Sequence, residues 1–401
     1  MSAQPVLIVD QARTAVAPVG GAFRTLQVHE LAAPVVRALL QRANVSVDHV
    51  DALIMGNALA AGGNPARLVA LAAGLPERCP AWSLDTQCCA GLDAVAMGTA
   101  LISSGQAQVV IAGGAEAWSR APVRHHRPLH AGEPVTPYER PAFSPDPARD
   151  PDLIEAAAQF AQQHGYSRTQ QNAYAQRSHL QALQHQAQAA QHMVSVAGLM
   201  HDAYPRAVDS ARLHRIPLAT RIAGLTTRHA GSEATVAQGS HIDCGVSQLA
   251  VSAKADGAAF VLLMSTHAAQ RLGCSATTHI VAHGSVGHAP DMPLLAAQAA
   301  TQDVMQRTGL QTHDFAAVEL HDAFAVQGLH FAQQLPWAPT QLNAHGGGLA
   351  RGHPIGASGA VALVQLLTRL ALAAPSDRPA LGLVTIAAAG GMGSAMVVKQ
   401  T

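Results

Sequence analysis

Residues 91–114 read GLDAVAMGTALISSGQAQVVIAGG, and this stretch decides the fold. Leu92, Val95, Ala96, Leu101 and Ile102 fall near helical spacing, and Ser103-Ser104-Gly105 supplies a stop. Residues 108–112 then read as a fully buried strand ending in Gly113-Gly114. A helix handing over to a buried strand is the repeating step of α/β architecture with a mostly parallel sheet. Upstream the same alternation predicts a strand at 6–9, a helix at 29–42, a buried strand at 52–55 and a helix at 66–73. Downstream it lapses from about 118 to 250, where Pro, His, Gln and Arg dominate around one long Gln/Ala-rich helical stretch at 167–192. This span predicts an inserted loop domain over one face of the core. Strands resume at 258–264, 279–282 and 317–320. VVIAGGAEAWS near residue 109 echoes LVTIAAAGGMGSAM near residue 383, which points to a duplicated half.

The composition bounds the partners. At roughly 150 residues per domain, 401 residues make two or three domains or one doubled fold. With 49% apolar residues the chain can bury a large core, which excludes wholesale disorder. Only 12% of residues are charged, against roughly 25% in a typical soluble protein, so part of the surface is expected to be shared with other subunits. The 25 Lys+Arg and 25 Asp+Glu cancel, and no basic run offers a footprint for nucleic acid. The opening MSAQPVLIVDQART has no basic segment followed by an apolar one, so a cytoplasmic location is expected. Residues 380–398 carry no charge but centre on Ala-Gly-Gly-Met-Gly, which predicts two buried strands around a glycine turn and no membrane span.

The five cysteines, at 79, 88, 89, 244 and 274, are an odd number at irregular spacing and form neither a disulfide framework nor a CxxC metal site. The 22 histidines are scattered without paired-ligand spacing, so no metal is expected. Cys88, in LDTQCCAGLDAVAMG, stands at the start of a predicted helix. Unpaired N–H groups and the helix dipole at that place are expected to lower the thiol pKa and favour a nucleophilic thiolate. His353 follows a glycine-rich run in AHGGGLARGHPIGASGA, with Pro354 at the first turn of a predicted helix that runs on to Leu367. His321 and Asp322 lie in VELHDAFAVQ, where a strand end turns into a helix and side chains often face a cleft. A helix-start cysteine with two loop histidines makes a Cys/His/His set suited to acyl transfer: a thiolate, a base and oxyanion donors.

These segments, with QARTAVAPVGGAF, GNPAR at 63–67, GGAEAWSRAP and the final GGMG, occur in the order and spacing of the thiolase family, which the sequence resembles over nearly its whole length. The resemblance implies a duplicated five-layered α/β/α/β/α fold. Residues 1–117 with 251–265 would form the N-terminal half, 118–250 a loop domain that binds coenzyme A, and 266–401 the C-terminal half. It implies a homodimer or homotetramer, with His125, His126 and His130 near the expected tetramerisation loop. Coenzyme A thioesters would be substrates, with no permanently bound cofactor. Cys88 matches the acylated nucleophile, His353 the histidine that activates it, and Ser252 a serine near the pantetheine. His321 occupies an oxyanion-hole position shared with His353, and the backbone N–H groups of Cys88 and Ala389 would form a second hole.

The sequence departs from the family where a second cysteine normally serves as acid and base. Counting back from Gly393 puts Ala387 at that position, and Ala323 stands where some relatives have a cysteine in an HDCF motif. A general acid–base step contributes about 10²- to 10⁴-fold. Cys89, adjacent to the nucleophile, is expected to point elsewhere. A His-Met-Gly run that lines the acyl pocket in the family reads Asp152-Leu153-Ile154 here, so pocket shape does not carry over. Three readings follow. The first is a thiolase-type acyltransferase forming or cleaving 3-ketoacyl-CoA through S-acyl-Cys88. The second is a condensing enzyme of decarboxylating type, or one with a non-CoA acceptor, using Cys88, His321 and His353. The third is a non-catalytic acyl-CoA-binding subunit.

Overall fold

The computed structural model describes residues 5–59, 63–219, 243–372 and 379–401, so residues 220–242 of the 118–250 span lie outside the described residues. Among the described residues, ten strands form one sheet. Nine of them, in chain order, are β1 (Val6–Arg13), β2 (Ala52–Gly56), β3 (Ala81–Leu84), β4 (Val109–Ala117), β5 (Ala255–Ser265), β6 (Thr278–Gly287), β7 (Phe315–His321), β8 (Ala380–Ala388) and β9 (Met392–Gln400). Neighbours run β7-β8-β9-β6-β1-β5-β4-β2-β3, and the short strand Ala17–Pro18 pairs with β5 off this path.

The order contains a repeat. In the N-terminal half β2 pairs parallel with β4, β4 antiparallel with β5, and β5 antiparallel with β1. In the C-terminal half β7 pairs parallel with β8, β8 antiparallel with β9, and β9 antiparallel with β6. The two halves join where β1 meets β6 antiparallel, Val6 opposite Ile280. The duplication expected from the echo is therefore present, and the echoing segments are β4 and β8, which hold equivalent places. Among the described residues only the N-terminal half has the extra edge strand β3, parallel to β2, and six of the nine pairings in the sheet are antiparallel, which corrects the expectation of a mostly parallel sheet.

Four helices fix the layers, α1 (Val28–Arg42), α2 (Ala90–Ser103), α4 (Ala296–Thr308) and α5 (Ser358–Leu372), while α3 (Arg168–Gln184) belongs to the segment between β4 and β5. Alternation along each strand divides the core. Leu53, Met55, Val109 and Ile111 pack with Leu31, Val35 and Leu39 of α1 on one outer face. Ile54 and Val110, one residue out of phase, face Leu92 and Val95 of α2 and Leu363 and Leu366 of α5, which also meet Val384, Ile386 and Met396 of the other half. Ala297, Ala300 and Val304 of α4 cover Leu383, Ala395 and Val397 on the far face. The result is α/β/α/β/α, with α2 and α5 as the middle layer. A helix enclosed between the two halves of the sheet must be apolar all round, which explains why Ile355–Leu372 has the length and composition of a membrane span while 83% of it is buried in the fold. Each such leucine contributes roughly 1.5–3 kcal/mol by burial.

The chain between β4 and β5 forms its own apolar cluster. Ala157, Phe160 and Ala161 pack with Val246 and Leu249, and this cluster rests on Phe324, Val326 and Leu349 of the C-terminal half. Its long helical stretch is α3 followed by the short helix Gln186–Ala190. Ser167 caps α3, accepting from the Gln170 N–H at 3.2 Å while the Gln170 side chain accepts from the Ser167 N–H at 2.8 Å. His125, His126 and His130 are exposed in the single chain, and His126 stacks on Tyr138.

Candidate active site

Cys88 sits in a turn, Gln87–Cys89, that runs directly into α2. Gln87 just before it has φ of 53°, a left-handed conformation that costs a non-glycine residue roughly 1–2 kcal/mol. Side chains hold that turn in place. Asp85 accepts from the Gln87 N–H at 2.9 Å, and the Thr86 hydroxyl donates to Asp93 at 2.6 Å.

His353 arrives from the other half of the fold. Gly352, with φ of 105°, turns the chain, and the His353 N–H donates to the Ala253 carbonyl at 2.7 Å. The predicted helix begins later than expected, because Pro354 leads into a short turn at Ile355–Ala357 before α5 starts at Ser358. The His353 Nε2 lies 3.0 Å from the Cys88 Sγ, and its Nδ1 lies 2.8 Å from the Ser358 Oγ. The Ser358 hydroxyl donates to the Pro354 carbonyl at 3.1 Å, so its oxygen is left to accept from Nδ1–H. These bonds assign the tautomer: Nδ1 carries the proton and Nε2 presents its lone pair to the thiol.

The electrostatics correct one expectation. Burial pushes the Cys88 thiol up to about 12, although the N–H groups of Ala389 and of Cys88 itself pull in the opposite direction. Burial also pushes His353 down to about 4. Desolvation therefore outweighs the helix terminus, and the resting pair is a neutral thiol and a neutral imidazole. The thiolate expected from the helix start is not the resting state. Transfer of the thiol proton to Nε2 belongs to the moment of attack.

His321, at the end of β7, stacks on His353 with ring centres 4.6 Å apart. Burial first, then His353 and Arg351, hold its pKa well below the usual histidine value, and its buried Nε2 has no partner among the described residues. Asp322 does not face a cleft. It accepts from the Leu349 N–H at 3.1 Å, the Tyr174 hydroxyl at 2.9 Å and the Asn343 amide at 3.2 Å, fixing the glycine loop. Ser252 is buried beneath the same loop and donates to the Gly348 carbonyl at 2.7 Å. Cys89 turns toward the C-terminal strands, within 3.6 Å of the Ile386 carbonyl, and stays out of the Cys88–His353 pair. Ala387 presents only a methyl group, packed toward the cluster under α4. No group of His, Cys, Asp and Glu suited to a metal ion occurs among the described residues.

The structure thus brings Cys88, His353, His321 and the Ala389 N–H together from both halves, and leaves Ser252 in the supporting loop. Two residues escape a reading by motif. Ser358 is legible only as the fifth residue after His353, and Glu116 lies in the strand that carries the GGAEA motif. The arrangement can take a proton from a thiol, present the sulfur to a carbonyl and offer N–H donors to the resulting oxyanion.

Comparison with known proteins bears on the fold and the family. The thiolase N-terminal domain matches residues 6–267 and the thiolase C-terminal domain residues 274–400. An acetyl-CoA acetyltransferase of Shinella zoogloeoides is 34% identical over 406 residues, covering 99% of both chains. One from Rhizobium meliloti (strain 1021) is 34% identical over 417 residues, covering 100% of both. The crystal structure of the Bacillus anthracis acetyl-CoA acetyltransferase covers 99% of each chain with a TM-score of 0.85 at 26% identity. These matches favour neither a decarboxylating synthase nor a non-catalytic subunit. By its doubled fold, its matched domains and these full-length relatives, the chain belongs to the thiolase family of acyltransferases.

Proposed function

We propose that the chain moves acyl groups between coenzyme A thioesters through an S-acyl intermediate on Cys88, with acetyl-CoA and 3-ketoacyl-CoA as the substrate pair. The observation that carries this reading is the 3.0 Å contact between the Cys88 Sγ and an unprotonated His353 Nε2. As the sulfur attacks the thioester carbon, the thiol proton passes to Nε2. The carbonyl electron pair moves onto oxygen, toward the N–H groups of Cys88 and Ala389. Collapse of the tetrahedral adduct expels the coenzyme A sulfur, which takes the proton back from Nε2. His321, whose Nε2 has no partner among the described residues, would donate from it to the carbonyl oxygen of the second acyl group. The loop domain at 118–250 would hold the coenzyme A, with Ser252 near the pantetheine. The same reading includes a cytoplasmic homodimer or homotetramer.

Ala387 limits the second half of the reaction. With no ionisable group there, removal of an α-proton from an acceptor acyl-CoA lacks the family's usual base, and His321 is a weak one because burial lowers its pKa. The acylation half-reaction is therefore expected to outpace carbon–carbon bond formation. The test is coenzyme A-dependent loss of acetoacetyl-CoA and of longer 3-ketoacyl-CoA by the purified protein. Slow cleavage that vanishes in Cys88→Ala supports the reading, and no cleavage of any 3-ketoacyl-CoA contradicts it.

A further inference from the structure

Behind Cys88 the chain buries a carboxylate that the reaction itself does not touch. Glu116, on β4, is fully enclosed and accepts four hydrogen bonds. Oε1 takes the Asn57 amide at 2.8 Å and the Leu59 N–H at 3.3 Å, while Oε2 takes the Ala58 N–H at 2.9 Å and the Gly356 N–H at 3.0 Å. No ion pair reaches it among the described residues. Four donors and no acceptor fit only the ionised carboxylate, because a protonated one would turn an O–H against an N–H.

Gly356 is three residues past His353, and its carbonyl sits in a hollow made by missing side chains. A Cβ on Gly56, Gly91 or Gly114 would come within 2.6, 2.7 or 2.0 Å of that oxygen. Gly91 belongs to the helix that Cys88 begins. The turn carrying His353 is therefore seated by backbone contact on the turn carrying Cys88, with its neighbouring N–H held by Glu116. We propose that Glu116 is a positioning residue for acyl transfer: it pins the Gly356 turn so that His353 Nε2 stays within reach of the Cys88 sulfur.

The groups acting on Glu116 make this dependent on pH. Burial pushes its pKa up to about 7, the N–H groups of Ala58, Gly356 and Leu59 pull it down, and Asp85 on the turn before Cys88 raises it. The Cys88 thiol also faces it and is neutral near pH 7. Protonation below about 7 removes an acceptor and loosens the seat. His353, at about 4, titrates well below that range, and Asp322, at about 6, lies on the other side of the glycine loop.

This inference rests on Cys88 being the acylated nucleophile, so the experiment follows acylation directly. The rate of S-acylation by acetyl-CoA is measured by rapid quench and intact mass from pH 5 to 9 in wild type, Glu116→Gln, Glu116→Asp and Asp322→Asn. In wild type the rate is expected to fall on the acid side with a midpoint near 7. Glu116→Gln should acylate about 10- to 100-fold more slowly at pH 8, with little change in the acetyl-CoA concentration for half-saturation, and should lose that acid limb. Glu116→Asp should regain part of the rate, and Asp322→Asn should keep the limb. A wild-type profile flat from pH 6 to 8 overturns the proposal without any variant, as does a Glu116→Gln profile that matches wild type. Absence of any adduct in wild type would overturn the Cys88 reading, and this proposal with it.

Discussion

His321 and His353 stack face to face, ring centres 4.6 Å apart and planes inclined by 29°. Two imidazolium charges at that separation would repel by about 4 kcal/mol at an effective dielectric constant of 20. Only one ring can carry a charge at a time. When His353 takes the thiol proton, His321 must stay neutral, and the cation is discharged onto the leaving coenzyme A sulfur. The stack thus penalises charge on both rings at once, while the neutral Cys88–His353 pair itself follows from burial of the two groups, with proton transfer coupled to attack.

That state can be tested without substrate. With the Cys88 thiol pushed up to about 12 and His353 down to about 4, wild type minus Cys88→Ser should show no thiolate absorbance step between pH 6 and 9. A step near neutrality would contradict the neutral pair. The His353 shift also has a sign for stability. The unfolded imidazole binds a proton near 6.5 and the folded one only near 4, so this contribution is present above 6.5 and is lost as pH falls toward 4.

Ser358→Ala removes the acceptor for the His353 Nδ1–H and leaves a buried donor unpaired, at about 1–3 kcal/mol. Acylation should slow by roughly 10- to 100-fold while the protein stays folded. Rapid-quench rates beside a circular dichroism melt make the check, and an unchanged rate would remove Ser358 from the account.

Ala387→Cys returns a thiol to the position that the family uses for acid–base chemistry. Cleavage of acetoacetyl-CoA by coenzyme A should rise, by up to about 10²- to 10⁴-fold. The rate of Cys88 acylation should barely move. If cleavage does not rise, the missing thiol is not what limits the second half-reaction.

Much of this was legible in the sequence, and the misses have physical causes. The helix after Cys88 and the strand after it are local patterns, so both were readable from residues 91–114. The strand runs on to Ala117 because Gly113 and Gly114 serve close contact with Phe260 and Gly356, where glycine in a linear reading looks like a stop. The thiol's pKa went the other way because burial is a tertiary property, invisible in a helix start. Glu116 was hidden because its partner Gly356 is 240 residues away. Asp322 was misplaced because its neighbours Tyr174 and Leu349 come from distant segments.

The loop segment is tied to the sheet by a pair buried in the same way. Arg13 donates to Asp202 through two nitrogens, at 2.7 and 2.9 Å, with side chains 1% and 8% exposed. Burial pushes the Asp202 carboxyl up, but the Arg13 guanidinium prevails and holds it below the usual aspartate value. Its contribution is therefore present above about pH 4 and is lost as pH falls below that. Asp202→Asn leaves Arg13 buried without its counter-charge and should cost about 3–5 kcal/mol in urea unfolding. A loss under about 1 kcal/mol would mean that water reaches Arg13.

The central claim is that Cys88 carries the acyl group. The most direct measurement is the intact mass of the protein after mixing with acetyl-CoA and with a longer acyl-CoA, beside Cys88→Ala and His353→Ala. The account predicts a gain of one acyl group on the wild type, none on Cys88→Ala and a much slower gain on His353→Ala. A wild-type protein that gains no mass from either donor, or a Cys88→Ala protein that gains it equally, would contradict the account.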